Sequence, residues 1–349
     1  MPDLDALGWD AAWGAAFADY GDQGLEPGRI AAPHRGGEYD VLVRGSELRA
    51  RLPGRTRQGP DPAELPVVGD WVALDVGDAG SASVQAVLPR RTKISRRAAD
   101  DSGTGAAREQ VVAANVDVVF VAASLADDVD LRIVERYLTV AWESGARPVI
   151  LLTKADLEED AARVTADVAE VAVGVPVEAV SARAGQGLDR VRSYLEHGVT
   201  GALVGPSGVG KSTIVNALAR EELLETGSLS EDGEGRHTTT RRQLVILPGG
   251  GLLVDNPGIR ELHPWLADEG LEAAFADVVE LFAHCRFTDC SHETEPGCAV
   301  QAALVDGSLA RERWESYRRL ERELAELEDR LASRERSRAR RRRPGTGAS

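Results

Sequence analysis

The stretch Ala202-Leu203-Val204-Gly205-Pro206-Ser207-Gly208-Val209-Gly210-Lys211-Ser212-Thr213-Ile214-Val215-Asn216-Ala217-Leu218-Ala219 decides the fold. It runs from an apolar strand-like segment through a glycine-rich loop into a helix-forming segment, with a G-x-x-x-x-G-K-[ST] pattern at the joint. Glycines let backbone N–H groups converge on phosphate oxygens, and the N-terminus of the following helix adds its positive dipole end. The expected nucleotide-binding residues here are Gly205, Pro206, Ser207, Gly208, Val209, Gly210, Lys211, Ser212 and Thr213. Lys211 would reach the β- and γ-phosphates, and the Ser212 hydroxyl would sit on magnesium. The bland alternative is a glycine-rich turn that merely joins a strand to a helix; the full motif in this context sets it aside.

Upstream, strands alternate with helices. Val116 to Ala123 is a continuous apolar run of the kind buried on both faces of a parallel sheet. Helical periodicity over Leu131 to Ser144, a second buried strand over Pro148 to Leu152, a helix over Ala161 to Ala172, a strand over Pro176 to Val180 and a helix over Leu188 to Leu195 follow. This pattern predicts a doubly wound α/β domain with its ligand at the carboxyl ends of the strands. Two of those ends carry Thr153-Lys154-Ala155-Asp156 and Ser181-Ala182-Arg183. The Asp156 carboxylate can accept from guanine N1–H and the 2-amino group, whereas adenine has an acceptor at N1 and no 2-amino group. Lys154 would lay its stem along the base, and the Ala182 N–H would donate to guanine O6.

Downstream, residues 226 to 235 are rich in Gly, Ser and acid and read as mobile; they lead into Gly235-Arg236-His237-Thr238-Thr239-Thr240. A threonine there, Thr239, would place a second hydroxyl on magnesium when the γ-phosphate is present. After two apolar runs comes Asp255-Asn256-Pro257-Gly258, with Asp255 expected to hold the metal's water shell and the Gly258 N–H to touch the γ-phosphate. The following residue is Ile259, where self-sufficient nucleotide switches place a water-orienting Gln nearby, so intrinsic hydrolysis should be slow.

Ahead of this domain, short alternating runs at Tyr39–Val43, Glu47–Leu52, Asp70–Leu74 and Ser83–Leu88 predict a small barrel of about five strands. Arg55 and Arg57 lie in one of its loops, and Arg90, Arg91, Lys93, Arg96 and Arg97 follow its last strand. These read as a phosphate-binding face or, alternatively, as a solvated charged rim. Residues 100 to 110 read as a polar linker. Trp9, Trp13, Phe17 and Tyr20 suggest one short amphipathic helix, serving as a docking helix or packed on the next domain.

The chain has 349 residues and a net charge of −16, which argues against general nucleic-acid affinity through the bulk field and gives local basic clusters more weight. No apolar run approaches the about 20 residues that span a bilayer, and no signal peptide is evident, so a cytoplasmic protein without membrane contact is expected. All three cysteines, Cys285, Cys290 and Cys298, fall in one segment with His292. Three thiolates and one imidazole suffice for a closed tetrahedral zinc site, structural because no coordination position stays open; adjacent His284 is a weaker competitor. A helix is expected from Leu271 to His284, a charged helix from about Leu309 to Leu331, and Arg334 to Arg343 is an arginine-rich run.

Base recognition first, phosphate loop second and switch residues last is a rearranged order. With the barrel before it and the Cys/His segment after it, that order resembles the RsgA or YjeQ family of circularly permuted bacterial GTPases that act in small ribosomal subunit assembly. The matching stretches are Val67-Val68-Gly69-Asp70-Trp71-Val72, Glu109-Gln110 followed by Ala114-Asn115-Val116-Asp117, the phosphate loop, Gly235 to Thr240, and Cys285-Arg286-Phe287-Thr288-Asp289-Cys290. Thr153 stands where such GTPases usually carry Asn, weakening one contact to guanine N7, and Asn256 where they usually carry Thr.

The resemblance implies a circularly permuted P-loop GTPase domain preceded by an OB-like β-barrel and followed by a zinc-binding helical domain. The corresponding divisions are an N-terminal extension (1–35), an RNA-facing barrel (36–100), the GTPase domain (111–265), the zinc domain (270–332) and a basic disordered tail (333–349). It implies GTP hydrolysis with Mg²⁺, one structural Zn²⁺, His237 or else a group from the partner positioning the attacking water, and a monomer whose partners are the 30S subunit and 16S rRNA. Two other readings stand beside it: an RNA-binding scaffold that uses GTP only as a binding switch, and an ATP-dependent P-loop enzyme, against which Asp156 argues.

Overall fold

The computed structural model describes residues 3–53, 64–77, 81–98, 108–172, 174–220, 244–255, 271–272, 274–311, 313–322 and 325. The chain opens with a 3₁₀ turn at Asp5–Leu7 and helix α1, Ala11–Gly21, whose first turn is capped by the Asp10 carboxylate accepting from Trp13 N–H. Trp9 and Trp13 then pack against Trp71 of the barrel, with ring centroids 4.7 and 6.2 Å away. The aromatic helix therefore lies on the neighbouring domain.

Five strands close the barrel: β1 Glu26–His34, β2 Glu38–Val43, β3 Ser46–Arg51, β4 Trp71–Val76 and β5 Ala82–Val87, in the order β1-β2-β3-β5-β4. Neighbours are antiparallel except β3 and β5. Alternation sends Val41, Val43, Val72, Leu74 and Val84 inward, while Trp71 and Ala73 face out into a second core shared with α1 and the next domain. The barrel thus begins at Glu26, inside the stretch expected as an N-terminal extension. Pro27, Gly28 and Pro33 make this strand look like turn sequence, and a bulge between Ile30 and Ala32 breaks its alternation.

The expected polar linker at 100–110 is also corrected. Strand β6, Lys93–Ala98, pairs antiparallel with β7, Arg108–Ala114, so residues 108–110 belong to a two-stranded ribbon. Glu109 and Gln110 face partners upstream: Ser95 Oγ and Lys93 Nζ reach Glu109 Oε1 at 2.7 Å, and Arg96 Nε reaches Gln110 Oε1 at 3.0 Å.

The central domain is a six-stranded sheet in the order β10-β9-β8-β11-β13-β12. Its strands are β8 Val118–Ser124, β9 Arg147–Thr153, β10 Val177–Val180, β11 Thr200–Val204, β12 Leu244–Ile246 and β13 Leu252–Val254, all parallel but β12. Residues of one parity, Val119, Val121, Ile150, Leu152, Ala202 and Val204, pack toward α2 Leu131–Glu143 and α3 Ala161–Val171. The other parity, Val118, Phe120, Val149, Leu151 and Leu203, packs toward α4 Leu188–Ser193 and α5 Lys211–Ala219. Burial on both faces explains the unbroken apolar runs. The chain leaves β8 toward β9 on one side and returns to place β11 on the other, so the crevice of the sheet opens between β8 and β11.

The C-terminal module holds α6 Ala276–Phe282, α7 Ala299–Asp306 and helical residues at 313–322, around Phe275, Val278, Val300, Trp314 and Tyr317. Residues 271, 272 and 274 are helical as expected. After a turn at Phe275, helix α6 ends at Phe282, two residues before the expected His284, because residues 283–285 already turn toward the cysteine segment. Helix α7 was not expected; its cap is Cys298, whose sulfur accepts from Gln301 N–H.

Barrel and sheet meet at a hydrogen-bonded junction that gives two of the quoted motifs a physical role. Arg29, 2% exposed, donates to the carbonyl oxygens of Leu7, Gly69 (3.2 Å) and Asn115 (2.9 Å), joining the N-terminal segment, barrel and sheet domain. Asn115 Nδ2 donates to Gly69 O at 3.1 Å, and Asp70 takes Arg90 through two 2.8 Å bonds. Gly69 has φ +89°, and a Cβ there would lie 2.1 Å from Ala114 O. No other residue fits.

Candidate nucleotide site and metal centre

The loop Gly205–Ser212 leaves the carboxyl end of β11 and enters α5. Gly205 adopts φ +138° against β8, where a Cβ would lie 2.4 Å from Ala122 O. The first glycine is thus required by the close approach of loop to strand. Lys211 is buried, its Nζ 2.7 Å from Gly205 O and 2.6 Å from Pro206 O, so its ammonium lies within the curve of the loop. Ser212 and Thr213 follow in the first turn of α5, where amides and helix dipole favour anions.

The two segments expected to read the base lie beside it. Thr153 ends β9, Lys154 takes a left-handed φ of 58°, and Ala155 and Asp156 enter a short 3₁₀ turn. Ser181 follows β10, and its hydroxyl donates to Asp156 Oδ1 while accepting from Ala184 N–H at 3.0 Å. That hydroxyl holds the Asp156 carboxyl below the ordinary carboxylate range. Asp156 is therefore an acceptor at neutral pH, on the same sheet edge as the phosphate loop. Ala182 is half-buried beside it. Asp255 directly follows β13, the neighbour of β11.

Thr153 is placed otherwise than expected. Its side chain is 3% exposed, and its hydroxyl donates to Val209 O of the phosphate loop, with Ala123 O 3.2 Å away. His237, Thr239, Asn256, Gly258 and Ile259 lie outside the described residues, as do Arg55, Arg57 and the arginine-rich tail.

The basic cluster after the barrel is largely consumed internally. Arg90 pairs with buried Asp70, Arg91 with Asp10 while its guanidinium stacks 4.1 Å from the Trp13 ring, and Lys93 with Glu109. Composition alone shows a clustered charge but not its partners, which come from segments up to 81 residues away.

In the C-terminal module, ligand atoms of Cys285, Cys290, His292 and Cys298 all lie within 4.8 Å of one another. His292 Nδ1 faces the sulfurs, 3.4 Å from Cys285 Sγ and 3.6 Å from Cys298 Sγ. Zinc–sulfur and zinc–nitrogen bonds of about 2.3 and 2.0 Å place tetrahedral ligands about 3.5–3.8 Å apart, so the set fits zinc. The imidazole is held by stacking on Phe282 at 4.2 Å, and its backbone carbonyl accepts from Gln301 Nε2 at 2.7 Å. Adjacent His284 is not part of this group among the described residues.

Residues that sequence reasoning missed are Arg29 and the pair Glu135–Arg313. The one signal for Arg29 was a lone cation beside the apolar run Ile30-Ala31-Ala32.

Comparison with known proteins agrees with this geometry. The family model described as RsgA GTPase matches residues 87–265. Small ribosomal subunit biogenesis GTPase RsgA of Streptomyces coelicolor is 46% identical over 324 residues, covering 92% of this chain and 86% of its own. The RsgA of Opitutus terrae is 44% identical over 334 residues, covering 92% and 90%. Among solved structures, YjeQ from Thermotoga maritima superposes with a TM-score of 0.63 at 27% identity, covering 86% of this chain and 99% of that one. YloQ, a circularly permuted GTPase, shares the fold at a TM-score of 0.62 and 23% identity, with 88% and 96% covered. A phosphate loop on the fourth strand of its sheet, a barrel ahead of it, a Cys/His cluster behind it and relatives matching over nine-tenths of the sequence lead to one conclusion: the chain belongs to the RsgA GTPase family.

Proposed function

We propose that this GTPase acts in the cytosol as a monomeric assembly factor for the small ribosomal subunit, binding the 30S particle through its 16S rRNA in the GTP form and leaving after hydrolysis. The relatives' shared name supports the process. The observation that carries the nucleotide chemistry is the Asp156–Ser181 pair on the sheet edge that also bears the phosphate loop. A carboxylate held as an acceptor matches the two donors of guanine and leaves a charge unpaired against adenine.

The reaction is attack of water on the γ-phosphoryl group. Lys211 and the amides of Gly205–Ser212 neutralise charge on the phosphates as it spreads over the equatorial oxygens. The hydroxyls of Ser212 and Thr239 would hold magnesium, with Asp255 ordering its water shell, and the ion would supply further neutralisation of the phosphate charge. The Gly258 N–H meets the γ-phosphate, and His237 orients the water that Ile259 cannot. Cys285, Cys290, His292 and Cys298 would hold a structural zinc, which would tie the cysteine loop to α7.

The test is hydrolysis of GTP and ATP by the purified protein, with and without 30S subunits at matched salt, since phosphate contacts are salt-sensitive. Slow GTP turnover that rises sharply with 30S, and no response with ATP, is the expected result. GTP turnover indifferent to 30S would leave the nucleotide site standing and remove the ribosomal role; a His237→Ala variant with full stimulated turnover would remove that residue from the mechanism.

A further inference from the structure

Thr153 stands at the head of the base-recognition segment, yet its side chain is engaged elsewhere. We propose that Thr153 is a positioning residue for the phosphate loop and takes no part in reading the base. This deepens the guanine-nucleotide reading of the site and rests on it.

The first argument is the hydroxyl's single proton. It is donated to Val209 O, inside the phosphate loop. The guanine edge that a residue at this position would meet, N7 and O6, offers acceptors only. Lone pairs on Oγ1 cannot satisfy it, and the side chain is 3% exposed.

The second argument is what the bond holds. Val209 lies between Gly208 and Gly210, at φ +80° and +102°, so its two immediate neighbours have no side chain with which to anchor this part of the loop. On the other side Thr153 Oγ1 is 3.2 Å from Ala123 O at the end of β8, and the Thr153 carbonyl accepts from Leu125 N–H at 2.8 Å. The ends of β8 and β9 and the middle of the loop therefore meet at one side chain. The amides that face phosphate oxygens inherit their direction from that contact, and selectivity for guanine is left to Asp156 and the loop carrying Ala182.

Thr153→Val keeps the shape and removes the proton. Affinities for GDP, GTP and 7-deaza-GTP, which lacks the N7 acceptor, are measured by calorimetry for the native chain, T153V and T153S, with melting temperatures recorded without nucleotide. The expected result is that T153V weakens all three nucleotides by one common factor, about tenfold for a lost buried hydrogen bond, and that T153S restores them. The ratio of GTP to 7-deaza-GTP affinity stays the same in all three proteins. A loss in T153V confined to GTP, with 7-deaza-GTP unaffected, would overturn the proposal in favour of a base contact. So would unchanged affinities with only a lower melting temperature. Should T153V not fold, Thr153→Ala takes its place and is read in the same way: a common loss at an unchanged ratio upholds the proposal, and a shifted ratio overturns it. Failure of the underlying reading looks different, since the native chain would then bind ATP as tightly as GTP.

Discussion

Arg313 of the C-terminal module donates to Glu135 Oε1 of helix α2 at 3.1 Å, with both side chains inside the protein, 7% and 4% exposed. The same guanidinium takes Asp277 through bonds of 2.7 and 3.1 Å, donates to Ala274 O at 2.7 Å and stacks 4.0 Å from the Phe275 ring. One cation thus serves a carboxylate from each of two domains, and burial raises the Glu135 carboxyl above its ordinary range despite that cation. The pair joins the C-terminal module to a helix that packs on β8, the strand against which Gly205 closes.

Removing that cation should cost far more than neutralising its partner. Arg313→Met leaves two carboxylates without their charge partner, one of them buried, and is expected to lower unfolding free energy by about 3–5 kcal/mol. Glu135→Gln retains an acceptor for the guanidinium and should cost about 1 kcal/mol. Urea denaturation followed by tryptophan fluorescence checks both; equal losses would mean that the ion pair is not what joins the modules.

Base selectivity assigned to Asp156 predicts a switch. An Asn at this position still accepts from N1–H and now donates, matching xanthine, whose C2 carries a carbonyl in place of the amino group. D156N should therefore weaken GTP binding by about a hundredfold and gain affinity for XTP. Competition of the two against labelled GDP measures it, and a D156N protein that still prefers GTP would remove Asp156 from the base pocket.

Much of the fold was legible because it is written locally. The sheet strands are apolar runs buried on both faces, the phosphate loop is one contiguous motif, and the four metal-type side chains occur within one short segment. What escaped depends on distant partners. Strand β1 was hidden by Pro27, Gly28 and Pro33, whose tolerance comes from the bulge and from barrel neighbours. The ribbon β6–β7 pairs across residues that look like linker. Arg90 and Arg91 read as surface charge until Asp70 and Asp10 are brought to them by the junction. Thr153 likewise read as part of a base motif, and only the close approach of Val209 reveals its partner.

The junction itself makes a steric prediction. Gly69→Ala forces a methyl group to within 2.1 Å of the Ala114 carbonyl at a backbone φ of +89°, so barrel and sheet must separate locally. A loss of about 2–4 kcal/mol is expected, as for overpacking a site whose obstacle is backbone. Thermal melting reads it, and an unchanged midpoint would show that the two domains do not need this contact.

Acid should loosen the N-terminal helix before the sheet. The Arg91 guanidinium bonded to Asp10 lowers that carboxyl from its ordinary 3.8 to about 2. A depressed carboxylate contributes stability that is fully present above the ordinary value and lost as pH falls through about 2. Both side chains are about half exposed, so solvent screening limits the contribution to about 0.2–1 kcal/mol. Asp10→Asn keeps a helix cap and removes the charge, so it should flatten the stability profile between those two values. A profile identical to that of the native chain would show that the ion pair is not formed in solution.

Chelation offers the last test, because the C-terminal module has a small core built against its cysteine loop. Cys298 caps α7, Cys285 accepts from Ala299 N–H at 3.4 Å, and His292 stacks on Phe282 while standing edge-on to Trp314 at 5.9 Å. The metal site and the aromatic core are therefore one structure. Zinc released by a thiol reagent and measured with a colorimetric chelator should come to about one equivalent per chain, as four ligands in one tetrahedral set require. Its removal should cost helix content and expose Trp314 to quenchers, while GDP binding at the sheet edge persists. Cys298→Ser should reproduce the loss without a chelator, since it removes a ligand and weakens a cap together. If metal removal left Trp314 protected, the aromatic packing alone would hold the module, and zinc would have to act on something other than its fold.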